Sequence, residues 1–140
     1  MRILFLFLAS FFINFICKTD TIFDEILDAL NNKDKQNNVY LLQEKYANEY
    51  ISGRGYLVKI EKDIFGNVLL ELLNKKSYLE ENLVNIKVWI KNKYNKEVLK
   101  YYKVGDYIYF CGKLIFISSI NKEIVIKDAD ISKGRDLIVY

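Results

Sequence analysis

GRGYLVKIEKDIFGNVLLELL (53–73) and YKVGDYIYFCGKLIFISSINKEIVIKDADI (102–131) are the stretches whose reading decides the fold. In the first, Tyr56, Val58 and Ile60 alternate with Leu57, Lys59 and Glu61, and after a turn around Asp63 to Asn67, Val68, Leu70 and Leu72 alternate with Leu69 and Glu71. A period of two places successive side chains on opposite faces of a strand. Beyond a polar loop from Asn74 to Asn82, Val84, Ile86, Val88 and Ile90 alternate with Asn85, Lys87, Trp89 and Lys91, which predicts a half-buried third strand. Lys93 to Lys103 predicts a helix with Val98, Leu99 and Tyr102 turned inward. Gly105-Asp106 then turns the chain into a fourth strand from Tyr107 to about Ile117. Ser118 to Lys122 leads to a fifth strand, Glu123 to Lys127, which closes with Asp128-Ala129-Asp130-Ile131. Five short strands of this kind close into a small barrel.

Working outward, Thr19 or Asp20 caps an expected helix to Asn31, with Ile22, Phe23, Ile26, Leu27 and Leu30 on one face. NNKDKQNN (31–38) is polar and unpatterned and is expected to be a loop; a second helix is expected from about Tyr40 to Tyr50. The chain opens with Met1, Arg2 and the apolar run ILFLFLASFFINFI (3–16). As a helix that run spans about 21 Å, against a hydrocarbon core of about 30 Å, so a signal peptide fits better than a membrane span.

The run ends at Cys17, and that placement resembles a bacterial lipoprotein signal, which implies lipidation of Cys17 and a membrane-anchored protein of the cell envelope. Asn14 and Ile16 stand where the pattern has a branched apolar and a small residue. Cleavage elsewhere, an uncleaved anchor and a buried N-terminal helix stay open. So does a Cys17–Cys111 disulfide in an oxidising compartment. The expected division is a signal peptide over residues 1–16, a helical segment over 17–50 and the barrel domain over 51–140.

Tyr50 with Gly53-Arg54-Gly55-Tyr56, Val84 to Ile90, Val104-Gly105-Asp106 before a strand ending Cys111-Gly112-Lys113, and the final Ile-x-Asp-Ala-x-Ile resemble the tRNA-anticodon-like family of oligonucleotide/oligosaccharide-binding (OB) proteins. The resemblance covers about residues 45–131 and implies a mainly β fold with helices: a five-stranded OB barrel, a helix between strands three and four, and two helices before it. OB folds usually bind across strands two and three and the loops joining strands one to two and four to five. On this chain that face holds Lys62, Asp63 and Phe65, Leu69 and Glu71, Lys87, Trp89 and Lys91, and Ser118 to Lys122. Trp89 between two lysines is its most suggestive feature, and Trp89, Lys87, Lys91, Lys62 and Phe65 are the expected ligand-binding residues. The opposing expectation is that Trp89 lies covered under the 74–82 loop or an N-terminal helix.

The formal net charge is +3, with no histidine. It is uneven: residues 53–122 carry 13 basic and 7 acidic side chains, whereas residues 18–50 carry 4 and 7. Six lysines from Lys87 to Lys103, interrupted by Glu97 alone among acids, form the densest basic patch; such a stretch is most often solvated surface. General acid–base and nucleophilic chemistry lack their usual residues, and no catalytic residue, cofactor or metal is implied. Asp128 and Asp130, two apart on a strand, make at best a weak cation site. The leading expectation is therefore an exported, lipid-anchored, non-catalytic module of the envelope that binds a protein, a glycan or another envelope ligand. The alternative is a single-stranded nucleic-acid-binding protein, with nucleic acid the less favoured partner.

Overall fold

The computed structural model describes residues 17, 20–77 and 79–134, so the expected signal peptide lies outside the described residues. The elements are α1 (Asp20–Asn31), α2 (Gln36–Tyr46), β1 (Tyr50–Lys62), β2 (Val68–Leu73), β3 (Asn85–Ile90), α3 (Asn95–Tyr101), β4 (Tyr107–Ser118) and β5 (Glu123–Lys133), with 3-10 turns at Lys33–Lys35 and Asn92–Tyr94. The strands form a closed barrel in the order β1-β2-β3-β5-β4. Every neighbouring pair is antiparallel except β3 with β5. That order, with α3 between the third and fourth strands, is the OB fold.

Alternation along each strand fills the interior. Ile51, Leu57, Leu70, Leu72, Ile86, Val88, Ile108, Leu114, Ile124 and Ile126 are buried and belong to one cluster. Helix α1 joins it through Phe23, Ile26, Ala29 and Leu30, the apolar face that its spacing predicts. Phe23 meets Phe110 edge-on, with ring centroids 5.6 Å apart. Gly53 makes the room: a Cβ there would lie 2.5 Å from Phe110 Cζ and 2.8 Å from Phe23 Cδ2. Polar ties hold the start of α1 to the outside of the barrel. Asp20 accepts hydrogen bonds from Ser52 and from Arg54, the latter at 3.0 Å, and Asp24 pairs with Arg54 at 3.5 Å. Cys17 and Cys111 are joined in a disulfide with a Cα–Cα distance of 5.9 Å. One sulfur cannot carry both this bond and a lipid.

Four local departures from the sequence reading have physical causes. The expected 31–38 loop contains a 3-10 turn, because the Asn32 side chain accepts from Asp34 N and caps it. The second helix runs from Gln36 to Tyr46 rather than from Tyr40 to Tyr50. Asn48 adopts φ 66°, and backbone bonds from Asn48 to Leu114 and from Leu114 to Glu49 pull residues 48 and 49 into the barrel. Leu99, expected inward, is exposed, because Val98 and Tyr102 alone complete the buried side of so short a helix. Strand β5 continues to Lys133 because Asp128, at φ 52°, absorbs a register shift and lets Ala129 and Ile131 turn inward again.

Candidate functional site

The outer face of the barrel is built row by row from the pairing. On the antiparallel side Leu69 stands opposite Trp89, and on the parallel side Ile90 stands opposite Ala129, which sets Trp89 beside Lys127 and Asp128. Lys127 pairs with Lys113, and Lys113 with Tyr50. Trp89 is half-buried, and Leu69, opposite it on β2, is buried. Trp89 lines a cleft of about 670 Å³ over β3, β5 and β4, together with Lys91, Asn92, Lys113, Lys127 and Asp128 among others.

The charges of this cleft differ in what holds them. Asp63 is engaged by its own turn: it accepts from Phe65 N, Asn67 N and Asn67 Nδ2 at 2.8–3.0 Å, and these bonds outweigh its loss of solvent and hold the carboxyl below its ordinary pKa. Asp128 accepts from the Tyr50 hydroxyl, which raises that phenol. Lys91 donates to Asp130 Oδ2 at 2.9 Å and is raised by that bond; Asp130 also takes the Tyr94 hydroxyl at 2.8 Å. Burial alone would raise Asp130, but the bonds from Lys91 and Tyr94 bring it below the usual carboxylate value. Lys113 lies over the Tyr50 ring, 5.8 Å from its centroid. Among the described residues no ion pair engages Lys113 or Lys127. An aromatic face beside two ammonium groups outside any ion pair suits a flat ring that carries an anion.

The structure gathers part of the expected set. Trp89 and Lys91 line the cleft. Lys87 lies one row away and is tied to Glu123 at 2.9 Å, a bond that raises its pKa. Lys62 and Phe65 are exposed at the β1–β2 loop and do not line the cleft; Phe65 is 82% exposed, next to Ile64 at 93%. Lys113, Lys127, Tyr50 and Asp128 were outside the expected set. Alternation marked Lys113 and Lys127 as strand residues, whereas Tyr50 was expected to end the second helix and Asp128 to follow the fifth strand; only the cross-strand register brings the four to Trp89.

No family model matches the chain, and no curated protein matches it in sequence. The likeness to the tRNA-anticodon-like family therefore stands at the level of the OB fold. Among solved structures the chain is similar to Schizosaccharomyces pombe Pot1pC bound to ssDNA, at 13% identity and TM-score 0.45 over 66% of this chain and 84% of that one. It is similar to the small single-stranded DNA-binding protein of Streptomyces coelicolor, at 16% identity and TM-score 0.44 over 61% and 94%. It is also similar to the Plasmodium falciparum SSB in complex with ssDNA, at 18% identity and TM-score 0.39 over 61% and 93%. At these values the likeness is one of fold.

Two expectations are corrected here: the envelope module for a protein or glycan, and the ranking of nucleic acid as the less favoured partner. That ranking rested on the expected export signal, a modest net charge and few arginines; the three solved chains named above, of the same fold, are single-stranded DNA-binding proteins, and the cleft adds Lys113 and Lys127 to the lysines expected beside Trp89.

Proposed function

We propose that this protein is a non-catalytic OB-fold module that binds single-stranded nucleic acid in the Trp89 cleft. The observation that supports it is the half-buried Trp89 facing a cleft of about 670 Å³ in which Lys113 and Lys127 carry no ion pair. A base stacked on the indole contributes ~1–3 kcal/mol, and neighbouring phosphates take the two ammonium groups with release of counterions. The cleft's formal charge is three lysines (Lys91, Lys113, Lys127) against two aspartates (Asp63, Asp128), so binding is of moderate strength and weakens with salt. Trp89 is the sole tryptophan, which makes the test direct. Titration with an oligodeoxythymidylate at low salt quenches its fluorescence, and added salt reverses the quench; an unquenched indole with no bound strand refutes the reading.

A further inference from the structure

The basic patch from Lys87 to Lys103 extends beyond the cleft. Lys91 and Asn92 line the cleft, and from there the chain passes directly into the 3-10 turn Asn92–Tyr94 and helix α3. Asn95 fixes the start of that helix to the β1–β2 loop by donating from Nδ2 to Gly66 O at 3.0 Å. Lys96 and Lys100, four apart, share one side of α3, with Lys93 in the 3-10 turn before it and Lys103 just past its extended C-cap, Tyr102. Val98 and Tyr102, the buried residues, occupy the other side. Lys96, Lys100 and Lys103 are exposed, and among the described residues no ion pair engages them; Lys93 reaches Asp130 at 3.7 Å. Glu97 is the one acidic residue of α3.

Lys96 and Lys100 lie about 6 Å apart along α3 at ~1.5 Å per residue, about the separation of two phosphates in a stacked strand at ~3.4 Å per charge, and Lys103 follows beyond the helix. We infer that this line of lysines is a phosphate track: a single strand whose base stacks on Trp89 leaves the cleft past Asn92 and lays its next phosphates along Lys96, Lys100 and Lys103. The track rests on the reading of the cleft proposed above. It supplies contact with the backbone and no base recognition, because its ammonium groups are point charges on flexible stems.

The test is a fluorescence titration of the Lys96→Gln, Lys100→Gln, Lys103→Gln triple variant with oligodeoxythymidylates of increasing length at several salt concentrations. With long oligomers the slope of log affinity against log salt falls by about 2, at ~0.7 per lost phosphate contact, so the affinity lost between 50 and 200 mM salt is about 20-fold smaller than for wild type. With an oligomer short enough to fill the cleft alone the two proteins bind equally. Equal slopes at every length, with the quench intact, overturn the track and leave the cleft standing. An equal fall in slope from Lys33→Gln with Lys35→Gln, on the helical side, traces the effect to net charge and also overturns it. No quench of the wild-type indole removes the cleft and the track together.

Discussion

Strand β4 carries two outer surfaces that differ in what lies on them. Around Tyr109 and Cys111 the strand is bridged to Cys17, flanked by Asp20 and Ser52, and faces a cleft of about 540 Å³ in whose described lining there is no basic residue. Two residues further on, around Lys113 and Ile115, it opens onto the Trp89 cleft with its lysines. The Lys91–Asp130 pair stands between them, Lys91 lining one and Asp130 the other. The same alternation produces both surfaces. The difference comes from α1: it brings Asp20 and Asp24 to neutralise Arg54 on the first, while on the second Lys113 and Lys127 stand outside any ion pair among the described residues. Binding of an anionic strand should therefore depend on one surface, and stability more on the other.

The largest effect should come from the α1 side. Phe23 is 1% exposed and packed on Phe110 over Gly53. Phe23→Ala should cost ~3–5 kcal/mol, since the cavity it leaves adds to the lost transfer energy. Urea unfolding checks this; a loss under about 1 kcal/mol would mean that α1 is a loosely held appendage. Next comes the bridge. Replacing Cys17 with Ser, or reducing the disulfide, should lower stability by ~2–4 kcal/mol by freeing a closed loop of nearly the whole domain while leaving strand affinity unchanged. A parallel loss of affinity would show that the two surfaces are not independent.

Trp89→Ala should weaken binding of an oligodeoxythymidylate by ~1–3 kcal/mol, roughly 5- to 150-fold, with the barrel still folded. With the indole gone, the change is read by anisotropy of a labelled strand. Tyr109→Ala, on the other surface, should leave affinity within about twofold; equal losses from the two substitutions would erase the distinction between the clefts.

The two surfaces were unequally legible in the sequence. Alternation located the five strands and set Trp89 outward, because a half-buried strand must separate its faces every second residue. The spacing of Phe23, Ile26 and Leu30 marked the face of α1 but not what it would cover, since Gly53, which makes room for Phe23, has no side chain to betray its place. The cleft needed more than periodicity. Tyr50, Lys113 and Lys127 share a row only because β4 pairs with both β1 and β5, and the Asp128 kink that sets Trp89 beside Lys127 is a backbone conformation no residue pattern announced. Charge compensation was equally hidden: Lys91 finds Asp130 39 positions away, and Lys87 finds Glu123 on the same distant strand.

The smallest predicted effect concerns the ridge between the clefts. Asp130 titrates below its unfolded value, so its contribution to stability is complete above the ordinary carboxylate pKa of about 3.9 and is lost as the pH falls through the lowered folded value. Lys91 is raised, so its share is complete below the ordinary lysine pKa of about 10.4 and is lost as the pH rises through the raised one. The pair therefore works across neutral pH and fails at both extremes. Asp130 and Lys91 are 27% and 33% exposed, so solvent weakens the pair and Asp130→Asn should cost at most about 1 kcal/mol at pH 7. Denaturant midpoints of wild type and variant, followed from pH 7 downward, should draw together as the wild-type carboxyl loses its charge on passing its lowered pKa. A gap that persists unchanged at acid pH would mean that Asp130 holds the ridge by the shape of its hydrogen bonds, with Tyr94 as the partner that matters. In that case the lysine belongs electrostatically to the cleft, and strand binding there would draw on three cations in place of two.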